Sequence, residues 1–127
     1  MNKALDILKK WMDGINNADI GKLMSLYAEN AVLIPTFSNR LLDNSEKIKD
    51  YFTKVGSKDN LSISLHEKTL ITQELSLDIY SISGIYKWCF SIDGEPLTFE
   101  ARFSYMIDIT KEKPILNHHS SQIPRTL

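Results

Sequence analysis

The stretch Ile85-Tyr86-Lys87-Trp88-Cys89-Phe90-Ser91-Ile92-Asp93-Gly94-Glu95-Pro96-Leu97 decides how the chain is built. A strand sends successive side chains to opposite faces. Tyr86, Trp88 and Phe90 therefore share one face, and Ile85, Lys87 and Cys89 share the other. Asp93-Gly94 is a strong hairpin signal, because a type I′ turn needs positive φ at both central residues. The strand before it is expected from about Leu77, and the strand after it from Leu97 to Ile109, running antiparallel. Lys111-Glu112-Lys113-Pro114 makes the next turn, and Ile115 to Ser121 makes the last strand. Upstream, Leu61, Ile63 and Leu65 alternate with Ser62, Ser64 and His66, and a further strand is expected around Lys68 to Gln73.

Before the strands the apolar period changes. Ala4, Leu5, Leu8, Trp11, Met12 and Ile15 recur at spacings of three and four, the stripe of an amphipathic helix that stops near Gly14 and Asn16-Asn17. Asp19 can cap a second helix, with Ile20, Leu23, Met24 and Tyr27 as its inner face. Ala31-Val32-Leu33-Ile34, closed by Pro35, is a short strand. After a loop from Thr36 to Asp43, Asn44 or Ser45 caps a third helix that buries Ile48, Tyr51, Phe52 and Val55 and stops at Gly56. Three helices and a run of long antiparallel strands make an α+β domain. A sheet that curves around helices leaves a cavity at its open end.

The totals suit one domain: 127 residues, 43% hydrophobic and 24% charged. A net charge of -1 speaks against a nucleic-acid binder, which carries a basic excess. No apolar run reaches the ~20 residues that span a bilayer. The N-terminus has no signal-peptide core, and the single cysteine, Cys89, allows no intrachain disulfide. The expectation is a cytoplasmic protein with no membrane partner.

Several pieces of the chain together resemble a known family. Leu26-Tyr27-Ala28-Glu29-Asn30-Ala31-Val32-Leu33-Ile34-Pro35-Thr36-Phe37-Ser38-Asn39, Tyr51-Phe52, Gly84-Ile85-Tyr86, Ala101-Arg102-Phe103-Ser104-Tyr105 and His118-His119-Ser120-Ser121-Gln122-Ile123-Pro124 are similar to bacterial relatives of the calcium/calmodulin-dependent protein kinase II association domain. That family has the nuclear transport factor 2-like (cystatin-like) cone. The resemblance implies three helices packed in a strongly curved, mainly antiparallel sheet. It also implies homodimers or larger rings through the outer sheet face, and a deep pocket that Arg102 would line.

The polar residues of the last two strands carry the candidate site. Arg102 stands in an apolar strand, where an unpaired arginine is rarely buried. It is either a fork for a ligand carboxylate or phosphate, or half of an internal ion pair with Glu67, Glu100, Asp108 or a helix acid. His118 and His119 face opposite ways, so they do not share a metal ion, and no metal site or cofactor is expected. Strand parity pairs His118 and Ser120 with Arg102 inside, and leaves His119 and Ser121 outside at a subunit contact. His118 is the candidate catalytic acid or base; the alternative is that both histidines are structural donors. Ser120 has no triad and no nucleophile elbow. Trp11, Tyr27, Tyr86 and Trp88 either line the pocket or fill the core. Phe103, Tyr105 and Ile107, taken as the other face, are expected at an interface between subunits.

Three functions compete. The first is a self-associating domain that binds a small anionic ligand through Arg102, His118 and Ser120. The second is a pure oligomerisation module. The third is an enzyme of the isomerase, cyclase or dehydratase kind that uses a pocket histidine.

Overall fold

Asp93 and Gly94 close the central hairpin with φ of 51° and 80°, the positive pair that the turn demands. The computed structural model describes residues 3–124. Its helices are α1 (Lys3–Asn16), α2 (Ile20–Met24) and α3 (Ser45–Gly56). Its strands are β1 (Tyr27–Ile34), β2 (Asp59–Leu65), β3 (Ile71–Ser76), β4 (Ile79–Ile92), β5 (Glu95–Asp108) and β6 (Ile115–Gln122). A single 3₁₀ turn, Glu67–Thr69, separates β2 from β3. No described helix is long and apolar enough to cross a membrane.

The strands form one mixed sheet in the order β1-β6-β5-β4-β2, with β3 also paired to β4. β4 and β5 pair along their whole length, from Ile92 against Glu95 to Ile79 against Asp108. β1 runs parallel to β6, so the first and last strands lie side by side. The expected cone is what the chain builds. α1 turns Ala4, Leu8, Trp11 and Ile15 towards the sheet, and α3 turns Ile48, Tyr51, Phe52 and Val55. Both caps form as expected: Asp19 accepts from the Lys22 N–H at 3.0 Å, and Asn44 from the Lys47 N–H at 2.9 Å.

Two elements differ from expectation. Tyr27 is not the last inner residue of α2 but the first of β1, which is twice the expected length. The helix ends at Met24 with Ser25 as its cap, and the Leu26 carbonyl accepts from the Ile115 N–H at 2.8 Å, which ties the chain to β6. Gly14 does not merely weaken the end of α1. A Cβ there would stand 2.8 Å from Leu23 Cδ2, so the missing side chain lets α2 pack directly on α1. Asn16 extends this corner by bonding like a strand: its amide donates to the Ile63 carbonyl at 3.2 Å and accepts from the Ile63 N–H at 2.8 Å.

Candidate functional site

Strand pairing assigns each polar side chain of β5 and β6 to a face. Opposite residues in an antiparallel pair share a face. Tyr86 lies opposite Ala101, and Ile85 lies opposite Arg102. Tyr86 and Trp88 point into the cone, so Ala101, Phe103, Tyr105 and Ile107 do too, and all are buried. Arg102 points outwards with Ile85 and is exposed. On β6, His118 pairs with Tyr105 and Ser120 with Phe103, which puts both inside. They are the buried polar residues of the described chain, at 1% and 2% exposure. His119 is outside, 2.7 Å from Ser121 Oγ.

Two expectations are therefore corrected. Arg102 does not line the interior, and it forms no ion pair within 4.0 Å among the described residues. The acid beside it, Glu100, instead meets His66 at 3.2 Å. Phe103, Tyr105 and Ile107 are not an outer apolar face but the centre of the subunit's own core. Both differences have one physical source: the hairpin register sets Arg102 opposite Ile85, on the face away from His118.

The interior holds a connected polar chain. Trp11 Nε1 donates to the Tyr27 hydroxyl at 2.9 Å. That hydroxyl lies 2.7 Å from His118 Nδ1, and the Tyr86 hydroxyl lies 3.1 Å from His118 Nε2. Because the Tyr27 oxygen already accepts from Trp11, its own proton is free to go to Nδ1. His118 then carries its hydrogen on Nε2 and donates it to Tyr86. Tyr86 interacts in turn with Ser120, whose hydroxyl bonds that of Thr36. Thr36 meets the Tyr51 hydroxyl, to which the Phe37 N–H donates at 3.2 Å.

Burial sets the charge states. It holds His118 well below its usual value, with His119 adding a smaller push in the same direction, so the imidazole is neutral. Burial raises Tyr27, Tyr86 and Tyr105 well above 10 and pushes Tyr51 up to about 12. None of these phenols is a base near neutral pH. The His118 ring is stacked on Tyr105 at 3.8 Å and meets Trp11 edge-on at 5.2 Å. The Tyr105 hydroxyl and Trp88 Nε1 are buried with no hydrogen-bond partner among the described residues.

A cleft of about 750 Å³ opens beside this core. Its walls are α3, the irregular segment between β1 and α3, and the far end of β4. Tyr51 and Val55 from α3, Phe37 and Leu42 from the segment, and Phe90 from β4 give it an apolar floor. Arg40, Lys47, Lys54 and Lys58 ring it, against one acid, Asp50. Lys47 is paired with Asp43 at 3.0 Å, and Lys58 lies over Phe90 at 5.8 Å. Arg40 and Lys54 have no ion-pair partner within 4.0 Å among the described residues. Chemically, the cleft can hold an anion with an apolar body.

The cleft was missed in the sequence, although a signal was there. Lys47 and Lys54 stand seven apart, which places them on one side of α3, and Lys58 follows two residues past its end. Arg40 and Phe37 lie in a loop, where no period announces them. Of the residues expected at the site, Trp11, Tyr27, Tyr86, Trp88, His118 and Ser120 come together in the core. None of these six lines the cleft. Tyr51 and, through its backbone N–H, Phe37 belong to both the cleft and the polar chain.

Residues 2–124 match the model of the calcium/calmodulin dependent protein kinase II association domain family. A Xanthomonas campestris structure, named as a candidate association domain of the same kinase, superposes with a TM-score of 0.87 at 25% identity, covering 98% of this chain and 88% of that one. PrhC from Penicillium brasilianum gives 0.79 at 17% identity, covering 95% and 80%. A candidate dehydratase of the NTF2-like family from Streptomyces avermitilis gives 0.82 at 10% identity, covering 97% and 95%. Among curated proteins none matches.

Proposed function

The chain belongs to the calcium/calmodulin dependent protein kinase II association domain family, and from that premise we propose that it is a self-associating domain whose cleft binds a small anionic molecule. The observation that carries the proposal is the ring of Arg40, Lys47, Lys54 and Lys58 around an apolar floor, with Asp50 as the one acid of the lining. The volume, about 750 Å³, is in the range of small-molecule sites. The anionic ligand expected from the sequence thus keeps its charge class but changes its partners, from Arg102 to the cations of the cleft.

Calorimetric titration with benzoate and with benzamide tests this. Benzoate should bind, benzamide should not, and benzoate affinity should fall as salt rises. Arg40→Glu combined with Lys54→Glu should abolish the difference. Equal affinity for the two probes would sink the proposal.

An enzymatic role for His118 stands behind this reading. Both its nitrogens are engaged by tyrosines, and its ring is 1% exposed. A substrate in the cleft would meet Tyr51 before it met His118.

A further inference from the structure

Trp88 Nε1 is a buried donor with no hydrogen-bond partner among the described residues. Such a group is uncommon, because leaving a buried N–H unpaired forfeits the bond it made to water. Its ring stands edge-on to Phe37, with centroids 5.2 Å apart and planes at 76°. Phe37 also lines the cleft. Phe37 therefore touches both the cleft and the indole that carries the unpaired N–H. Phe37 sits in the irregular segment between β1 and α3, outside the helices and strands. Its backbone N–H donates to the Tyr51 hydroxyl at 3.2 Å. Its ring leans on Phe90 and Phe99, at 5.4 and 5.3 Å.

We infer that the binding site continues behind Phe37 to Trp88, and that its ligand carries, opposite its charged end, a neutral acceptor oxygen that takes the Trp88 N–H. The inference rests on the reading of the cleft as an anion site and adds the chemistry of the ligand's other end. An indole nitrogen only donates, so its partner must accept. That partner is a carbonyl or ether oxygen and not a second carboxylate. Trp88 is surrounded by Trp11, Tyr86 and Phe37, and a buried charge there would lack a counter-ion. The cations gather at the other end, round the cleft. The ligand class is an aromatic or compact apolar carboxylate bearing a keto or alkoxy group, and Phe37 must swing aside to admit it.

The test uses ¹⁵N-labelled protein with 4-acetylbenzoate and 4-isopropylbenzoate. The two probes share charge and outline and differ in the carbonyl oxygen. Both should bind, and only 4-acetylbenzoate should move the Trp88 indole N–H resonance downfield. It should also bind about tenfold more tightly, the worth of one hydrogen bond. Trp88→Phe should erase that tenfold, so that the two probes bind alike. The resonance shift is read on the unaltered protein, so the test survives if the variant folds poorly. If both probes bind equally and the indole signal stays put, the inner contact is wrong while the anion cleft stands. If neither probe binds at millimolar concentration, the cleft reading and this inference fall together.

Discussion

The Tyr27 hydroxyl lies 2.7 Å from Nδ1 of His118 and so bonds the first strand to the last across 91 residues of chain. The same oxygen accepts from Trp11 on α1 at 2.9 Å. Three elements distant in sequence thus meet at one atom. Tyr27→Phe removes it and strands two buried groups, the Trp11 N–H and the His118 Nδ1. The expected cost is about 2–3 kcal/mol in urea denaturation, beyond the worth of a single bond because both partners lose theirs. Tyr86→Phe leaves the His118 Nε2 hydrogen unpaired, while Ser120 loses Tyr86 but keeps Thr36, and should cost less, about 1–2 kcal/mol. A smaller loss for Tyr27→Phe than for Tyr86→Phe would contradict the order of the chain.

The neutral state of His118 makes stability depend on pH in a definite direction. Its folded pKa lies below 6.5 because burial disfavours the charged ring. The groups that face it are Tyr27, Tyr86, Tyr105 and Trp11, all uncharged near neutral pH. Below pH 6.5 the unfolded chain binds a proton that the folded one refuses. Unfolding then takes up a proton, and stability falls as the pH falls, by up to about 1.4 kcal/mol per unit. Above pH 6.5 both states are neutral and the dependence vanishes. Thermal melts between pH 5 and 8 should show this slope in the wild type and lose it in His118→Asn, which is less stable throughout. An unchanged slope in the variant would assign the effect to other groups.

Gly14 supplies a test of packing. On helix propensity alone, Gly14→Ala should gain about 1 kcal/mol. Here the added Cβ would meet Leu23 Cγ at 2.9 Å and Cδ2 at 2.8 Å. Leu23 is buried between α1 and the core and has little room to retreat. The substitution should therefore destabilise, by about 1–3 kcal/mol, as overpacking does. A melting temperature above the wild type's would mean that α2 yields more easily than its packing suggests.

The element order, the caps and the central turn were legible because each depends on neighbours in sequence. Asp19 and Asn44 cap helices through N–H groups three residues away, and Asp93-Gly94 fixes its own turn. The inner and outer faces of β4 followed from alternation. The faces of β5 were legible too. A two-residue turn at 93–94 fixes the pairing step by step and sets Arg102 opposite Ile85. The expectation instead tied Arg102 to His118, across a pair of strands whose connection fixes no such register. A bulge between Met106 and Ile107 interrupts that second pairing. The start of β1 at Tyr27 was hidden because its partner, Ile115, is remote in sequence. The cleft was hidden because half of it is loop.

The outer sheet face now carries the expectation of self-association with a different set of residues. Arg102 stands between Ile85 and Ser121, and Met106 between Ser81 and Asn117. His119 stands between Ser104 and Ile34. Met106 is 41% exposed, and Arg102 and His119 are exposed as well. A face of mixed apolar and polar groups of this kind suits contact with a second copy. Met106→Glu combined with His119→Glu places like charges opposite one another across a two-fold contact. The expected result in light scattering is a shift towards monomer at unchanged fold. Because both side chains lie outside the core, the stability of the isolated subunit should move by no more than about 0.5 kcal/mol. Arg102→Ala should be equally mild for the fold, whereas an arginine held in a buried ion pair would cost several kcal/mol. If the charged pair leaves the mass in solution unaltered, association runs through another surface of the cone.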